Sequence, residues 1–167
     1  MNQLPNQSSS YWTQFMQNQE ELKFNKLQND LETDVVIVGA GIVGILSAYQ
    51  LVRKGVKVAL VEASEVMNGT TGHTTAKITA QHGLIYDKLI STVGEEKAKL
   101  YYQAKMDGLE FIHSLDKEEE IDCDYEKQDA ILYAETESFE KKIKSEFEAY
   151  QKLGIPGKLV EELPLPF

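Results

Sequence analysis

The sequence is poor in cysteine, in basic residues and in long apolar runs. Cys123 is the only cysteine among 167 residues, which excludes an internal disulfide and a multi-cysteine metal site. It is expected to be a small, partly buried side chain with nothing nearby to activate a thiolate. Lys and Arg number 17 against 27 Asp and Glu, a formal net charge of −10. A surface of that sign repels nucleic acid and anionic membranes, so neither is expected as a partner. The longest apolar stretch, Val35 to Leu46, is broken by three glycines and is too short to span a bilayer. Met1 to Ser10 holds no basic residue and no apolar run, so it does not read as a secretory signal. His82 and His113 have no metal-spaced neighbours and read as surface or helix-packing residues. There is no internal repeat and no low-complexity tract. Acidity and a single cysteine together predict a soluble, cytoplasmic chain.

What is present is a globular composition, with 42% hydrophobic residues. Residues 1–33 form an Asn/Gln-rich extension, in which Trp12, Phe15, Leu22, Phe24 and Leu27 are expected to pin it to the main domain. The pattern then changes. Asp34 to Gly39 is a β-branched run, the mark of a buried parallel strand. Ile45 to Lys54 has helical apolar spacing and stops at Gly55. Lys57 to Glu62 is a second buried strand, so the three make a βαβ unit. Ala63 to Gln81 reads mostly as loop. Leu84 to about Glu120 reads as helix, broken near Val93-Gly94, with apolar positions at Leu100, Tyr101, Ala104, Leu109, Phe111, Ile112 and Leu115. Ala130 to Ala134 reads as a strand. Glu137 to Leu153 reads as a helix with Phe139, Ile143, Phe147 and Tyr150 on one face and Gly154 as its cap. Leu159-Val160 begins a strand or leads into a loop, and Leu163 to Phe167 reads as a cut within a linker or a new element.

The sharpest signal is Gly39-x-Gly41-x-x-Gly44, placed directly after a strand and at the start of a helix. Gly39 permits the tight turn, Gly41 lets backbone approach a pyrophosphate, and Gly44 lets the helix pack close to the strand. The N–H groups of Ile42, Val43 and Gly44 are then expected to face the phosphates, with the helix dipole adding about 0.3–1 kcal/mol for an anion. Glu62 ends the second strand, 18 residues after Gly44. A carboxylate there accepts hydrogen bonds from the ribose hydroxyls of an adenosine and repels a 2′-phosphate, which argues against NADP. FAD and NAD both fit this fingerprint. The Thr/Gly-rich stretch Asn68 to Ala76 favours FAD, because its amides and hydroxyls offer a second contact to a longer ligand.

The run Asp34 to Gly44, with Ala48, Leu51, Gly55, Val58 and Glu62 at their spacings, resembles the N-terminal signature of FAD-dependent oxidoreductases of the D-amino-acid oxidase and glycine oxidase type. Gly69 to Ala76 is similar to that family's second FAD-contact loop. Asp129 to Thr136 and the charged helix after it resemble the family's first substrate-domain strand and helix, although Ala130 stands where a glycine is usual. The resemblance covers residues 34 to about 163 and is tightest over 34–76.

The resemblance implies an α/β, doubly wound (Rossmann-like) FAD-binding domain followed by the start of an α+β substrate domain. The expected divisions are an extension (1–33), the FAD-binding part (34–120) and the beginning of the substrate domain (121–167). By position, Ile42 and Val43 would meet the pyrophosphate, Glu62 the ribose and Ala63 the adenine. Thr70, Thr71 and Gly72 would contact phosphate or ribityl oxygens, and Thr75, Ala76 and Lys77 would pass the flavin ring. The implied reaction is oxidation of the C–N bond of a small-molecule amine or amino acid by hydride transfer to FAD. Some members carry a Rieske-type iron–sulfur domain, and this chain resembles that group, so such a domain is expected downstream. The family's substrate-binding residues are expected outside this chain, so no catalytic residue is assigned. His73 and Lys77 are candidates for placing positive charge near the reduced ring. An NAD-linked dehydrogenase and a non-catalytic nucleotide-binding module remain as alternatives.

Overall fold

The computed structural model describes residues 10–17 and 24–161. The chain divides into two compact units, Met1–Lys77 and Ile78–Phe167.

In the first unit, the β-branched run forms β1 (Val35–Val38) and the second run forms β2 (Val58–Val61). They pair in parallel, Val35 opposite Val58 and Val38 opposite Val61. Parallel neighbours need a crossover, and α2 (Ile42–Arg53) supplies it. It follows the short helix α1 (Tyr11–Gln17) in chain order. The helix starts three residues before the apolar spacing suggests, because the glycine turn itself opens it. Packing against β1 requires a glycine at position 44, since a Cβ there would stand 1.9 Å from the Gly39 carbonyl oxygen.

The expectation that both strands are buried is corrected: Val36 is 58% and Val38 83% exposed. A parallel sheet is buried only when helices cover both faces, and within this unit α2 is the one long helix packed on the two strands. Among the extension's aromatic and aliphatic residues, Trp12 is anchored by its indole N–H, whereas Phe24 and Leu27 are exposed and pin nothing. The expectations for the Phe15 side chain and for Leu22 lie outside the described residues, as does that for the end from Leu163 to Phe167.

The second unit is helical. α3 (Tyr86–Val93) and α4 (Glu95–Glu118) are separated by Gly94, at the break that the sequence predicts. α5 (Glu137–Leu153) begins at Thr136, whose hydroxyl accepts the Phe139 N–H, and ends at left-handed Gly154. The core is Tyr86, Ala98, Ala149 and Leu153. Tyr86 is fully buried, meets Tyr101, Tyr102 and Tyr150 edge-on, and donates its hydroxyl to the Ala80 carbonyl at 2.5 Å. Desolvation there pushes its pKa well above the tyrosine value of 10.

The α4 face is shifted from the expected one. Leu115 is buried and Leu109, Phe111 and Ile112 are half-buried as expected, but Leu100 is 69% exposed and Ala104 is exposed, while Ala98 is buried and Tyr102 half-buried. In α5, Phe139 is exposed and the buried positions are Glu146, Ala149 and Leu153. Glu146 accepts the N–H groups of Ile85 (3.1 Å), Tyr86 (2.9 Å) and Asp87 (2.9 Å), the orphan donors at the start of α3.

Ala130 to Ala134 does not form a strand. It is irregular, Ile131 and Tyr133 are exposed, and no described segment pairs with it. A strand exists only through its neighbour's hydrogen bonds, so β-propensity alone does not make one. Leu159-Val160 is likewise exposed loop. Cys123 is exposed rather than partly buried. Its S–H donates to Asp116 at 3.3 Å, and local desolvation together with that carboxylate raises its pKa, so it is no activated thiolate. His82 is exposed, and half-buried His113 stacks on Tyr125. Among the described residues no group of His, Cys, Asp and Glu is arranged to hold a metal, and no helix is long and apolar enough to cross a membrane.

Candidate functional site

The site is built where β1 and β2 end. Gly39 leaves β1 with φ +103°, and its N–H donates to the Val61 carbonyl at 2.8 Å, holding the turn against β2. Gly41 is the N-cap of α2, in extended backbone. Of the three amides expected to be free, that of Ile42 donates to the Thr71 hydroxyl oxygen at 3.0 Å. Those of Val43 and Gly44 have no acceptor among the described residues, as the geometry of a helix start dictates. They carry the positive end of the α2 dipole.

Glu62 follows β2 and is oriented by two backbone bonds. One oxygen accepts the Ala40 N–H and the other the Ser64 N–H, both at 2.9 Å. These bonds, that of Ala40 foremost, lower its pKa from the ordinary value of 4.5. A carboxylate has about four lone-pair sites, so Glu62 keeps capacity for a further donor. Sequence reasoning missed this tie between Glu62 and the glycine turn. Ala63 sits in the exposed bend beyond it.

The Thr/Gly stretch folds into one short 3₁₀ turn, Thr70–His73, followed by irregular chain. The turn places Thr70 and Thr71 beside the glycine loop. A groove of about 360 Å³ is lined by Ala40, Gly41, Glu62, Ser64, Thr70 and Thr71, among others. A second groove of about 490 Å³ runs over Gly39, Gly41, Ile42, Val43, Gly44 and Thr71. The two share Gly41 and Thr71. Gly72 is the buried residue of the turn. His73 turns its ring back on its own turn, with Nδ1 3.0 Å from the Gly69 carbonyl oxygen. Thr75, Ala76 and Lys77 are exposed and lie outside both grooves, Ala76 with a left-handed φ of 56°.

The arrangement suits an elongated anion that ends in a ribose. Two free amides in one groove meet its charge, the Thr71 hydroxyl stands where the two grooves join, and an oriented carboxylate lines the other groove. Residues 34–164 match the family model described as FAD dependent oxidoreductase (DAO). The chain belongs to this FAD-dependent oxidoreductase family, whose members are enzymes that use FAD. It is 49% identical over 143 residues to YhfW of Bacillus subtilis, named as a Rieske 2Fe-2S iron-sulfur protein, covering 86% of this chain and 28% of that one. It is 27% identical over 135 residues to the oxidoreductase OrdL of Haemophilus influenzae, covering 81% of this chain and 31% of that one. It is 28% identical over 128 residues to gamma-glutamylputrescine oxidoreductase of Escherichia coli, covering 71% of this chain and 30% of that one. The chain thus spans under a third of the length of these relatives. No solved structure gives a significant match.

Proposed function

We propose that this chain is the FAD-binding portion of a flavin-dependent oxidoreductase that oxidises the C–N bond of an amine or amino acid. The observation that carries the reading is that the free Val43 and Gly44 amides line one groove and the oriented Glu62 lines a second, and that the two grooves share Gly41 and Thr71. In this reading Gly39, Gly41 and Gly44 shape the turn, and Val43 and Gly44 bind the pyrophosphate. Glu62 takes the ribose hydroxyls on its remaining acceptor capacity, with Ala63 beside the adenine. Thr71 accepts the Ile42 N–H, so its own proton is free to be donated to a phosphate oxygen. Thr70 and Gly72 complete the turn, and Thr75, Ala76 and Lys77 lead on toward the flavin ring. Bound flavin supplies the hydride acceptor, and the chain supplies binding and orientation.

The C–N assignment is supported by the relative named for gamma-glutamylputrescine, a substrate with an amine nitrogen. The relative named as a Rieske protein supports a Rieske-type domain as a partner in the full-length protein. We assign 1–33 as an extension, 34–120 to the FAD-binding part and 121–167 to the beginning of an α+β substrate domain. The acidic balance supports a cytoplasmic protein. The test is the visible absorption spectrum of the purified chain, with flavin released on denaturation identified by chromatography. Bound FAD is expected. A chain that stays colourless with added FAD, yet binds NAD, would overturn the reading.

A further inference from the structure

The segment from Ser10 to Gln17 lies outside the residues that match the family, yet it grips the turn that lines the candidate groove. The Ser10 hydroxyl donates to the Gly72 carbonyl, and the Trp12 indole N–H donates to the Thr74 carbonyl at 2.9 Å. The Ser10 donor is itself held in place. Its hydroxyl oxygen also accepts the Thr13 N–H at 3.1 Å, and the Thr13 hydroxyl oxygen takes the Ser10 N–H at 3.0 Å. The fit is close: a Cβ on Gly72 would stand 3.0 Å from the Thr13 methyl group and 2.4 Å from the Met67 carbonyl oxygen.

The turn needs such support. Its own ladder is short, with Gly72 N–H on the Gly69 carbonyl at 3.1 Å and Thr74 N–H on the Thr71 carbonyl at 3.5 Å. A single 3₁₀ turn with bonds of that quality, inside an irregular stretch, does not order itself. Nevertheless, the turn presents the Thr71 hydroxyl to the first amide of α2 at 3.0 Å. Two outside anchors on carbonyls 72 and 74 fix the backbone on the far side of Thr71 from that contact.

We propose that Ser10 and Trp12 are positioning residues for the cofactor: the N-terminal segment is a brace that holds Thr70–Thr74 in the shape that delivers Thr71 to the phosphate site. This rests on the flavin reading above and assigns a role to a segment outside the family match. The brace acts on the phosphate-bearing part of the ligand that passes Thr71, whereas Glu62 is oriented by the Ala40 and Ser64 amides and not by the turn. FAD and adenosine, which has no phosphate, therefore report on it differently.

The test is equilibrium dialysis of the full chain with FAD and, separately, with adenosine, for the wild type, Trp12→Phe, Ser10→Ala and Ser10→Thr. Loss of one hydrogen bond to the turn is expected to weaken FAD about fivefold in Trp12→Phe and in Ser10→Ala. Adenosine affinity is expected to stay within about twofold, and Ser10→Thr, which keeps the hydroxyl, to bind FAD as the wild type does. Unchanged FAD affinity in both Trp12→Phe and Ser10→Ala would overturn the brace and leave the flavin reading standing. Parallel loss of FAD and adenosine would also overturn it, because the segment would then merely support the fold. A wild-type chain that binds adenosine and not FAD would take the turn out of the flavin site, and the brace with it. A wild-type chain that binds neither would sink the flavin reading itself.

Discussion

Two glycines three residues apart, Gly41 and Gly44, answer to different demands, and alanine at each separates them. At Gly44 a Cβ would lie 1.9 Å from the Gly39 carbonyl oxygen and 3.1 Å from its carbon. Those are backbone atoms of the turn, so no side chain can swing away. Ordinary contact begins near about 3.5 Å, so the start of α2 must retreat from β1 by more than an ångström. Overpacking of this kind costs about 1–3 kcal/mol, or a Tm lower by roughly 3–10 °C in a chain of this size. The amides of Val43 and Gly44 retreat with the helix, so FAD binding falls too. At Gly41 the backbone is extended (φ −82°, ψ −178°), which alanine adopts without strain, and the nearest atom to a Cβ is the Thr71 hydroxyl at 3.4 Å. Gly41→Ala is therefore expected to unfold within about 1 °C of the wild type. Its methyl group stands in both grooves, however, and FAD affinity is expected to drop at least about tenfold, some 1.4 kcal/mol. Thermal unfolding followed by circular dichroism, paired with FAD titration, reads both quantities. A Gly41→Ala chain that binds FAD as tightly as the wild type would refute the idea that the pyrophosphate crosses the backbone at this point.

Glu146 offers a test independent of the ligand. A glutamine side chain there would keep one oxygen for the Ile85 and Tyr86 amides but turn an NH₂ toward the Asp87 amide, so Glu146→Gln is expected to lose about 1–3 kcal/mol in urea unfolding. Glu146→Ala strands all three donors, each worth about 1–3 kcal/mol when left unsatisfied, and is expected to lose more than Glu146→Gln; a loss under about 1 kcal/mol would mean that water replaces the carboxylate. Acid dependence should trace to Glu62. Its folded pKa is depressed, so its contribution is present above the ordinary value of 4.5 and disappears as pH falls through the lower, folded value. AMP affinity measured against pH should fall on that acid limb in the wild type, whereas Glu62→Gln should bind weakly with no such limb; an identical limb in both would assign the titration to another group.

Much of the site could be read locally. A β-branched run, three glycines at fixed offsets and a carboxylate after the next strand are each tied to the chain by a turn or a strand of a few residues. Their spacing alone therefore places them at one sheet end. The helix ends at Val93, Thr136 and Gly154 were legible for the same reason, since caps and breaks act within one turn. Periodicity was a weaker guide. It identified α4 and α5 as amphipathic and picked Leu115, Ile143, Phe147 and Tyr150 on their covered sides, but it chose Leu100 and Phe139 and passed over Ala98 and Glu146. An apolar stripe shows that a face is buried, whereas its exact centre depends on the partner helix. A glutamate within the stripe of α5, three residues after Ile143, was the available signal for the α3 cap.

The sequence by itself determined the βαβ unit, its glycine turn and the carboxylate that follows the second strand, because those depend on contacts between chain neighbours and on glycine's lack of a side chain. Only the tertiary structure decided that Thr71 caps the first amide of α2, that Ser10 and Trp12 grip the turn carrying it, that Glu146 closes α3, and that residues 130–134 stay out of a sheet. Each of those rests on a donor meeting an acceptor, or a strand meeting an edge, from a distant part of the chain. Such meetings are set by how the elements pack, and no local pattern of residue types names the partner.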